Sequence, residues 1–596
     1  MEIRGRPVGS FSPYPLPMEV AEGVRLVELR VLDGPNLYFT RPAIKLSLAV
    51  PEWLQLDEAR AASLAGAVGL RGTVPDSSSN TRVRPGLPNT QHRLRFVARV
   101  AAHVTRSLAS AGGTSLAVRS RPGPEHDRVV VAFPWRRRGA AEALGQEVAE
   151  LLGAIPRTRR SFGSMLGEAT RRLEAADPGP PPSVPDPPIP VIAVTGTNGK
   201  TTTVRALAHV ILAAGLDVSY SSTDGVYFNG GLVEEGDYSG FGGAARALAQ
   251  PGVDVAVLET ARGGILLRGI GTMHNAVAVV TNISADHLGL HGINSLDQLA
   301  EVKSTVTRIT RPDGWDVLNA DDPRVLAMRR GIRGKPWVFS LDPDHPAIRA
   351  VVSEGGRATT AIDGQLTFVT AGMRSHPLLP LDDIPLTLAG ISTHNIQNAM
   401  AVASAALGIG LSEEAVATGL RTFVMDPETN PGRTNLFELE GRIVVADYAH
   451  NEAGMAGLVE TCRGLRSPPG EIWLAFSSAG DRTNEIIHGM GYVAARGADH
   501  VAVFELLRYL RGRERRDLLD RLRAGAADGG AAEVPLFEDE LHALRWMLES
   551  SHPKDVVAVT ALDQRQEVFA LVEERGGVRI DPNRVRQLVR RARLRR

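Results

Sequence analysis

The chain of 596 residues lacks several features that define large protein classes. It has one cysteine, Cys462, which excludes a disulfide framework and argues against a cysteine-based metal site. Its 67 basic and 67 acidic residues cancel, whereas proteins that bind nucleic acid or membrane surfaces usually carry a basic excess. No run of about 18 apolar residues occurs, and no apolar segment of the signal-peptide kind follows the N-terminus. We therefore expect a cytoplasmic protein that binds neither nucleic acid nor membranes.

Lysine is scarce, which draws attention to the few positions that keep it. Of the 67 basic residues, 62 are arginine, so arginine serves wherever a surface cation is enough. Only lysine supplies a compact ammonium group or an amine that can lose its proton. The positions that remain lysine are therefore candidates for a chemical role. They are Lys45, Lys200, Lys303, Lys335 and Lys554.

Proline is concentrated in one stretch, residues 178–190 (PGPPPSVPDPPIP). Proline at this density is incompatible with a helix or a central strand, so the stretch is interpreted as an extended linker. It separates an N-terminal domain, residues 1–177, from the rest of the chain. A second cluster of turn-forming residues near position 426 divides the remainder. We predict a central domain over 191–425 and a C-terminal domain over 426–596.

After the linker, short apolar segments alternate with helical patterns. Continuous apolar strands of this kind are typical of a parallel sheet that is buried on both faces. The sequence therefore predicts an α/β protein, with a helical pattern at 94–108 in an α+β N-terminal domain. Helices are predicted at 202–215 and 296–309. Strands are predicted at 191–194, 253–258, 276–280, 443–446, 472–476, 501–504 and 556–560.

A phosphate-binding motif follows the first strand after the linker. Residues 195–202 (TGTNGKTT) join this strand to a helix, which is the context that such a motif needs. Glycines let backbone N–H groups surround phosphate oxygens at the positive end of the helix. Lys200 would reach the β- and γ-phosphates, and the Thr201 hydroxyl would bind Mg²⁺. The predicted phosphate contacts are Gly196, Thr197, Asn198, Gly199, Lys200, Thr201 and Thr202.

Two neighbouring strands end in residues that suit a metal ion. Glu259 closes the strand at 253–258, and His287 follows the strand at 276–280. In α/β sheets, ligands bind in the crevice at the carboxyl ends of the strands. A carboxylate oxygen is a good Mg²⁺ ligand there, and His287 is a plausible second ligand beside it.

The order of the motifs resembles the Mur ligase family, which includes the peptidoglycan stem-peptide ligases and folylpolyglutamate synthetase. The likeness is strongest to the Mur-type half of cyanophycin synthetases. It runs from about residue 190 to the end of the chain. The motifs that carry it are TGTNGKTT (195–202), STDGVY (222–227), LETARGGIL (258–266), NISADHL (282–288), THNIQNA (393–399), NPGR (430–433), DYAHN (447–451) and AGDR (479–482).

The resemblance implies a central P-loop Mur ligase domain, a Rossmann-like C-terminal domain, and roles for single residues. Lys200, His287 and Lys303 would be catalytic, and Lys303 falls where the family carries a carbamylated lysine that helps to bind a second Mg²⁺. The implied metal ligands are Thr201, Glu259, His287 and Lys303. The implied ATP contacts beyond the loop are Asn395 at the adenine, Arg433 at the phosphates, and Asp447 and His450, which close over the nucleotide.

The chain departs from cyanophycin synthetases in two respects. Residues 27–36 (VELRVLDGPN) resemble the start of those enzymes, but the proline linker leaves no room for their ATP-grasp domain. Where those enzymes tend to be acidic, this chain has Leu506, Leu507 and Arg508, although an arginine substrate would need carboxylates nearby. The identity of the incoming amino acid is therefore open.

The expected function is an ATP- and Mg²⁺-dependent ligase that acts through an acyl phosphate. It would join an amino acid or amine to the free carboxylate of an amino acid or peptide. The alternative is a degenerate nucleotide-binding subunit that works with a separate ATP-grasp enzyme. An unrelated P-loop ATPase or kinase is disfavoured, because it does not explain Asn395, Arg433 and the DYAH segment together. The oligomeric state is left open.

Overall fold

The computed structural model describes residues 23–70 and 84–594. The N-terminal residues behind the signal-peptide expectation lie outside these ranges. Two compact units are present: the described parts of 23–30, 44–133 and 137–179 form one, and 31–43, 134–136 and 180–594 form the other. Within the described ranges, no helix combines the length and apolar character needed to cross a bilayer.

The N-terminal sheet has four strands. Its elements and the helices around it are β1 (Arg25–Leu32), β2 (Ala43–Ala49), α1 (Pro51–Gln55), α2 (Glu58–Ala67), α3 (Gln91–Ala111), β3 (Arg119–Pro122), β4 (Arg128–Pro134), α4 (Arg138–Ala154) and α5 (Phe162–Ala175). The strand order is β1-β2-β4-β3, and β3 and β4 are antiparallel. Helices α3, α4 and α5 contact one another. The predicted helix at 94–108 lies inside α3 and is confirmed.

The central domain is built on an 11-stranded sheet. Its elements are β5 (Val191–Thr195), α6 (Lys200–Ala213), β6 (Val218–Ser221), β7 (Gly225–Phe228), β8 (Gly231–Glu235), α7 (Phe241–Leu248), β9 (Val255–Glu259), α8 (Arg262–Leu267), β10 (Asn275–Val280), α9 (Leu296–Lys303), α10 (Thr305–Arg308), β11 (Thr310–Asn319), α11 (Pro323–Ala327), β12 (Lys335–Phe339), α12 (Pro346–Ser353), β13 (Arg357–Ile362), β14 (Gln365–Thr370), β15 (Arg374–Pro380), α13 (Thr393–Gly408) and α14 (Glu413–Thr422).

The strand order of this sheet is β15-β14-β13-β12-β11-β10-β5-β9-β6-β7-β8. Strands β13 to β6 in this order are parallel, as the sequence predicts. Antiparallel strands extend both edges, which the pattern of apolar segments did not indicate. The outermost strands lack continuous buried apolar runs: β8 is exposed along its whole length, and β15 is exposed or half-buried at all but one position, so both escape a search for buried strands.

The C-terminal domain has a seven-stranded sheet in the order β20-β19-β18-β21-β17-β16-β22. Five of these strands are parallel, whereas β16 is antiparallel to both of its neighbours, β17 and the edge strand β22. Its elements are β16 (Asn435–Leu439), β17 (Arg442–Asp447), α15 (Glu452–Leu465), β18 (Ile472–Phe476), α16 (Asn484–Gly497), β19 (His500–Phe504), α17 (Arg515–Asp528), β20 (Leu536–Phe537), α18 (Glu540–Ser550), β21 (Val556–Thr560), α19 (Arg565–Glu574), β22 (Val578–Arg579) and α20 (Pro582–Leu594). The predicted α/β fold class is confirmed.

The candidate ligand-binding residues follow the three central strands of the large sheet, β5, β9 and β10. Strands β5 and β9 are buried along their whole length, and β10 is buried except at one position, so all three lie in the interior between layers of helices. Their parallel register places Thr195 beside Val280 and Val194 beside Glu259. The loops that follow these strands therefore emerge at the same edge of the sheet.

The helix predicted at 296–309 is divided in the structure. Helix α9 ends at Lys303 and α10 begins at Thr305, with Ser304 between them. The Ser304 hydroxyl donates a hydrogen bond to the Glu301 carbonyl at 2.7 Å. Serine side chains that bond to nearby backbone carbonyls compete with regular helix geometry, which accounts for the break directly after Lys303.

Candidate nucleotide site

The phosphate-loop motif has the geometry of an anion cradle. It leaves β5 at Thr195 and enters α6 at Lys200, and its two glycines have positive φ angles, +149° at Gly196 and +85° at Gly199. A Cβ at Gly196 would lie 1.9 Å from Thr281 Oγ1, and one at Gly199 would lie 2.3 Å from Asn398 Oδ1. The loop thus takes a shape that only glycine allows at these points.

Substituting Gly199 tests whether this shape matters for binding. Gly199→Ala is expected to weaken nucleotide binding at least about tenfold, because the added Cβ collides with Asn398 and shifts the loop. Gly215→Ala is the matched control: Gly215 ends the same helix with φ +82°, and nothing lies within 4 Å of its Cβ position. Calorimetric titration with ATP checks the difference. Equal losses in both variants would contradict a specific role for the loop.

Lys200 lies over the loop that precedes it. Its Nζ donates a hydrogen bond to the Thr197 carbonyl at 2.8 Å. The loop is also tied to the residues after β10, because Thr197 N donates to Asn282 O and Asn198 N donates to Asn282 Oδ1, each at 2.9 Å. The ammonium group is thereby held beside the backbone N–H groups at the start of α6, where phosphate would bind.

Glu259 has a carboxylate oxygen with no partner. The side chain is 2% exposed, and Thr201 Oγ1 donates to its Oε2 at 2.9 Å. Its Oε1 is buried and accepts no hydrogen bond from any described residue. Burial raises the pKa of Glu259, and the nearby charge of Lys200 opposes that rise. A buried, half-satisfied carboxylate beside a threonine hydroxyl suits a Mg²⁺ ion.

Lys303 is buried at the end of α9, with 4% of its surface exposed. Its Nζ donates to the Gly196 carbonyl, and among the described residues no carboxylate forms an ion pair with it. Burial, and next the charge of Lys200, lower the pKa of Lys303 well below its usual value. The amine is therefore disposed to be neutral, the form that carbamylation requires.

His287 contacts carboxylates other than Glu259. Its Nδ1 lies 3.3 Å from Asp481 Oδ2 and its Nε2 lies 3.7 Å from Asp286 Oδ2. Among residues 23–70 and 84–594, no cluster of three or more histidine, cysteine, aspartate or glutamate side chains has metal-site geometry. The structure thus joins Thr201 to Glu259 directly, while the metal-binding role of His287 remains a prediction.

The C-terminal domain contributes Arg433, Asp447 and His450. The Arg433 guanidinium stacks 4.2 Å from the centre of the Tyr448 ring, and its buried Nε has no hydrogen-bond partner among the described residues. Asp447 Oδ2 accepts from both the backbone N and the hydroxyl of Thr434 at 2.8 Å. His450 lies 3.5 Å from Asp286 through Nε2, so it bridges back to the central domain.

Asn395 lies in the first turn of α13 and is 2% exposed. Its Oδ1 accepts from Asn398 Nδ2 at 3.0 Å, while its own Nδ2 is buried without a partner in the described part of the chain. An amide with a free donor suits a heterocycle nitrogen, which is the adenine contact that the family resemblance implies.

One cavity of about 860 Å³ brings the predicted residues together. Every residue assigned to the site from the sequence lines it, on walls from both the central and the C-terminal domain. The set is Gly196, Thr197, Asn198, Gly199, Lys200, Thr201, Thr202, Glu259, His287, Lys303, Asn395, Arg433, Asp447 and His450.

The sequence reasoning missed an ionic network at one end of this cavity. Arg482 Nη2 lies 3.3 Å from Asp286 Oδ1, and Arg511 pairs with Asp481. Burial opposes ionisation of Asp286, but the hydrogen bond to His450 and the charge of Arg482 outweigh it and hold its pKa well below the usual range. The sequence contains the adjacent pairs Asp286–His287 and Asp481–Arg482, but a role was predicted for His287 alone.

The cavity-lining segments match known families. Residues 194–406 match the Mur ligase middle domain, and residues 432–561 match the Mur ligase glutamate ligase domain. A cyanophycin synthetase from Synechocystis sp. is 39% identical over 373 residues, which cover 62% of this chain and 42% of that protein. This chain thus spans less than half the length of that relative.

Two further proteins are similar to this chain. A UDP-N-acetylmuramyl-tripeptide synthetase from Deinococcus radiodurans is 27% identical over 377 residues, covering 62% of this chain and 71% of that protein. The solved structure of E. coli FolC in complex with DHPP and ADP has a TM-score of 0.47 at 19% identity, covering 65% of this chain and 89% of that one. By the middle and C-terminal domains that it carries, the chain belongs to the Mur ligase family.

Proposed function

We propose that the protein is an ATP-dependent acid–amino-acid ligase of the ADP-forming type. The observation that carries the proposal is the shared cavity, in which the phosphate loop faces Arg433 from the C-terminal domain. A nucleotide held between two domains is shielded from water when they close, which protects a reactive acyl phosphate from hydrolysis. The names of the two sequence relatives, a synthetase in each case, agree with this reaction class.

The chain offers distinct groups for each part of ATP. Lys200 and the loop N–H groups neutralise and orient the phosphates, and Arg433 supplies a second cation. The free Nδ2 of Asn395 is assigned to the adenine. Asp447 is held by Thr434 next to Arg433 and is assigned to the closed nucleotide pocket.

A divalent ion fits the pair formed by Thr201 and Glu259. Glu259 Oε1 is the unsatisfied oxygen, and the Thr201 hydroxyl already points at the same carboxylate. Bound Mg²⁺ would neutralise charge that develops on the transferring phosphoryl group. Carbamylation of Lys303 would turn a buried amine into a second anionic ligand, and His287 is assigned to the same metal-binding region.

The proposed reaction has two steps. A substrate carboxylate attacks the γ-phosphorus of ATP, which breaks the bond to the β-phosphate oxygen and gives an acyl phosphate and ADP. The amine of the second substrate then attacks the acyl carbon, loses a proton and expels inorganic phosphate, leaving an amide. Activation comes first because a carboxylate is a poor electrophile at neutral pH. The substrates are an amino acid or amine and an amino-acid or peptide carboxylate.

The competing proposal is a degenerate subunit that binds nucleotide and supports a separate ATP-grasp enzyme. The N-terminal likeness to cyanophycin synthetases without an ATP-grasp segment favours such a partner. Against it, the loop lysine, the strand-end glutamate and the buried lysine are all retained, although a non-catalytic subunit does not need them. An active ligase that works beside an ATP-grasp enzyme satisfies both observations.

Amine-dependent release of ADP tests the proposal. The purified chain is incubated with ATP, Mg²⁺ and bicarbonate, and with amino acids and short peptides in all carboxylate and amine pairings. At least one pair is expected to stimulate ADP release with matching formation of an amide, measured by mass spectrometry. Tight ATP binding without stimulation by any pair would favour the degenerate subunit instead.

A further inference from the structure

Asp224 occupies a junction between the two halves of the nucleotide site. It follows β6, and its Oδ2 lies 3.1 Å from Arg205 Nη2 on the phosphate-loop helix α6. Its Oδ1 lies 3.2 Å from both Nη1 and Nη2 of Arg565, the first residue of α19 in the C-terminal domain. The side chains of Asp224 and Arg205 are 16% and 3% exposed. One part-buried carboxylate thus connects the phosphate-loop helix to the C-terminal domain.

The same two arginines hold the interdomain segment, residues 423–434, which joins α14 to β16. Arg205 Nη1 donates to the Thr429 carbonyl at 3.1 Å, and Arg565 Nη1 donates to the Pro431 carbonyl at 3.2 Å. This segment ends next to Arg433, which faces the cavity. The position of Arg433 therefore depends on a backbone segment that is hydrogen-bonded to Arg205 and Arg565, the two partners of Asp224.

The charges at this junction are unbalanced without Asp224. Burial opposes its ionisation, but Arg433, Arg565 and Arg205 outweigh that effect and lower the pKa of Asp224. In the described part of the chain, Asp224 is the one carboxylate that forms an ion pair with Arg205 or Arg565. Removing a charge from a buried cluster leaves its partners desolvated and mutually repulsive.

The turn that carries Asp224 also contacts the phosphate loop. Thr223 Oγ1 lies 3.3 Å from Thr201 Oγ1, which in turn donates to Glu259. A shift of this turn would therefore displace Thr201 and Glu259, the residues assigned to the metal, as well as the interdomain segment.

We propose that Asp224 is a positioning residue that locks the C-terminal domain onto the phosphate-loop helix and so aims Arg433 at the nucleotide. It acts through Arg205 and Arg565 and does not touch the reacting atoms. The inference deepens the proposed function and rests on it for the role of Arg433. The STDGVY motif that contains Asp224 does not by itself assign this role, because the role arises only when Asp224, Arg205 and Arg565 meet in the folded chain.

The first test is Asp224→Asn, which removes the charge and keeps the shape. The kcat of amine-dependent ADP release is expected to fall at least about tenfold, with a smaller change in the KM for ATP, because no residue of the phosphate loop is replaced. Asp344→Asn, which breaks an exposed ion pair with Arg349, is the matched control and should leave kcat unchanged. An Asp224→Asn kcat within about twofold of the parent overturns the proposal.

Arg565→Gln gives a second variant whose effect should depend on the first. In the Asp224→Asn background the Arg565 cation keeps the Pro431 carbonyl but has lost its carboxylate partner, so removing it should cost less than it does in the parent chain. The double variant is therefore expected to lose clearly less activity than the product of the two single losses. Simple multiplication of the two effects would overturn the proposed coupling.

Domain closure is measured separately, so that failure of the ligase reaction does not hide the result. Cys462 is the one cysteine of the chain and is buried, so Ser353→Cys and Glu574→Cys accept fluorophores selectively on exposed sites of the two domains. With Mg²⁺ and a non-hydrolysable ATP analogue, Asp224→Asn is expected to lengthen the distance between the labels. An unchanged distance distribution overturns the locking role, even if kcat falls. If the parent chain shows no turnover at all, the proposed function fails while this measurement still decides the role of Asp224.

Discussion

Lys200→Met is expected to reduce amine-dependent ADP release by at least about a hundredfold, because it removes a cation from the phosphate loop. Methionine keeps the length and the apolar stem of the side chain, so the change isolates the ammonium group. In the structure this group is placed by its bond to the Thr197 carbonyl, at the start of α6. Phosphoryl transfer depends on charge neutralisation more than on covalent chemistry, so the loss should appear mainly in kcat.

A second lysine supplies the control. Lys335 is exposed on β12, where it lies over the Trp315 ring, and it has no contact with the cavity. Lys335→Met should retain the parental rate, and both variants should unfold at the parental temperature. Full ADP release by Lys200→Met would mean that the loop does not bind the transferred phosphate, and the ligase proposal would lose its main support.

The parts of the site that were predictable are those encoded by neighbouring residues. A strand, two glycines, a lysine and a helix start lie within a dozen positions, and the structure assembles them as the pattern implies. Glu259 was found for the same reason, since it directly ends an apolar strand whose parallel neighbour precedes the loop. The physics of a buried parallel sheet is enough to bring such strand ends together.

The parts that were not predictable depend on contacts between distant segments. Asp224 and Arg565 are 341 residues apart in the chain, and their pairing requires both the central and the C-terminal domain to be folded and docked. His287 shows a second limit of sequence-based prediction, namely which neighbour a side chain contacts. The sequence associated it with Glu259 because both follow strands of one sheet, but its ring turns to Asp481 of the other domain. Tertiary packing decides which carboxylate a side chain contacts, and local sequence patterns do not encode that packing.

Lys303→Ala is expected to lower amine-dependent ADP release about a hundredfold, because the site would lose an anionic group that supports the metal. A lysine that is 4% exposed and donates to a backbone carbonyl, that of Gly196, gains little as a cation. Reaction of the neutral amine with carbon dioxide gives a carbamate, which would be neutralised by Mg²⁺ and by Lys200.

Two measurements separate this chemistry from a purely structural role. Labelled bicarbonate should give a carbamate carbon resonance in the parent chain and in Lys335→Ala, and none in Lys303→Ala. Added formate or acetate should restore part of the activity of Lys303→Ala, because a small carboxylate can take the place of the carbamate. Lys303→Arg should remain inactive with or without these anions, since a guanidinium group fills the space and cannot be carbamylated. An active Lys303→Arg variant would show instead that the site needs a cation, and the two-metal arrangement would have to be abandoned.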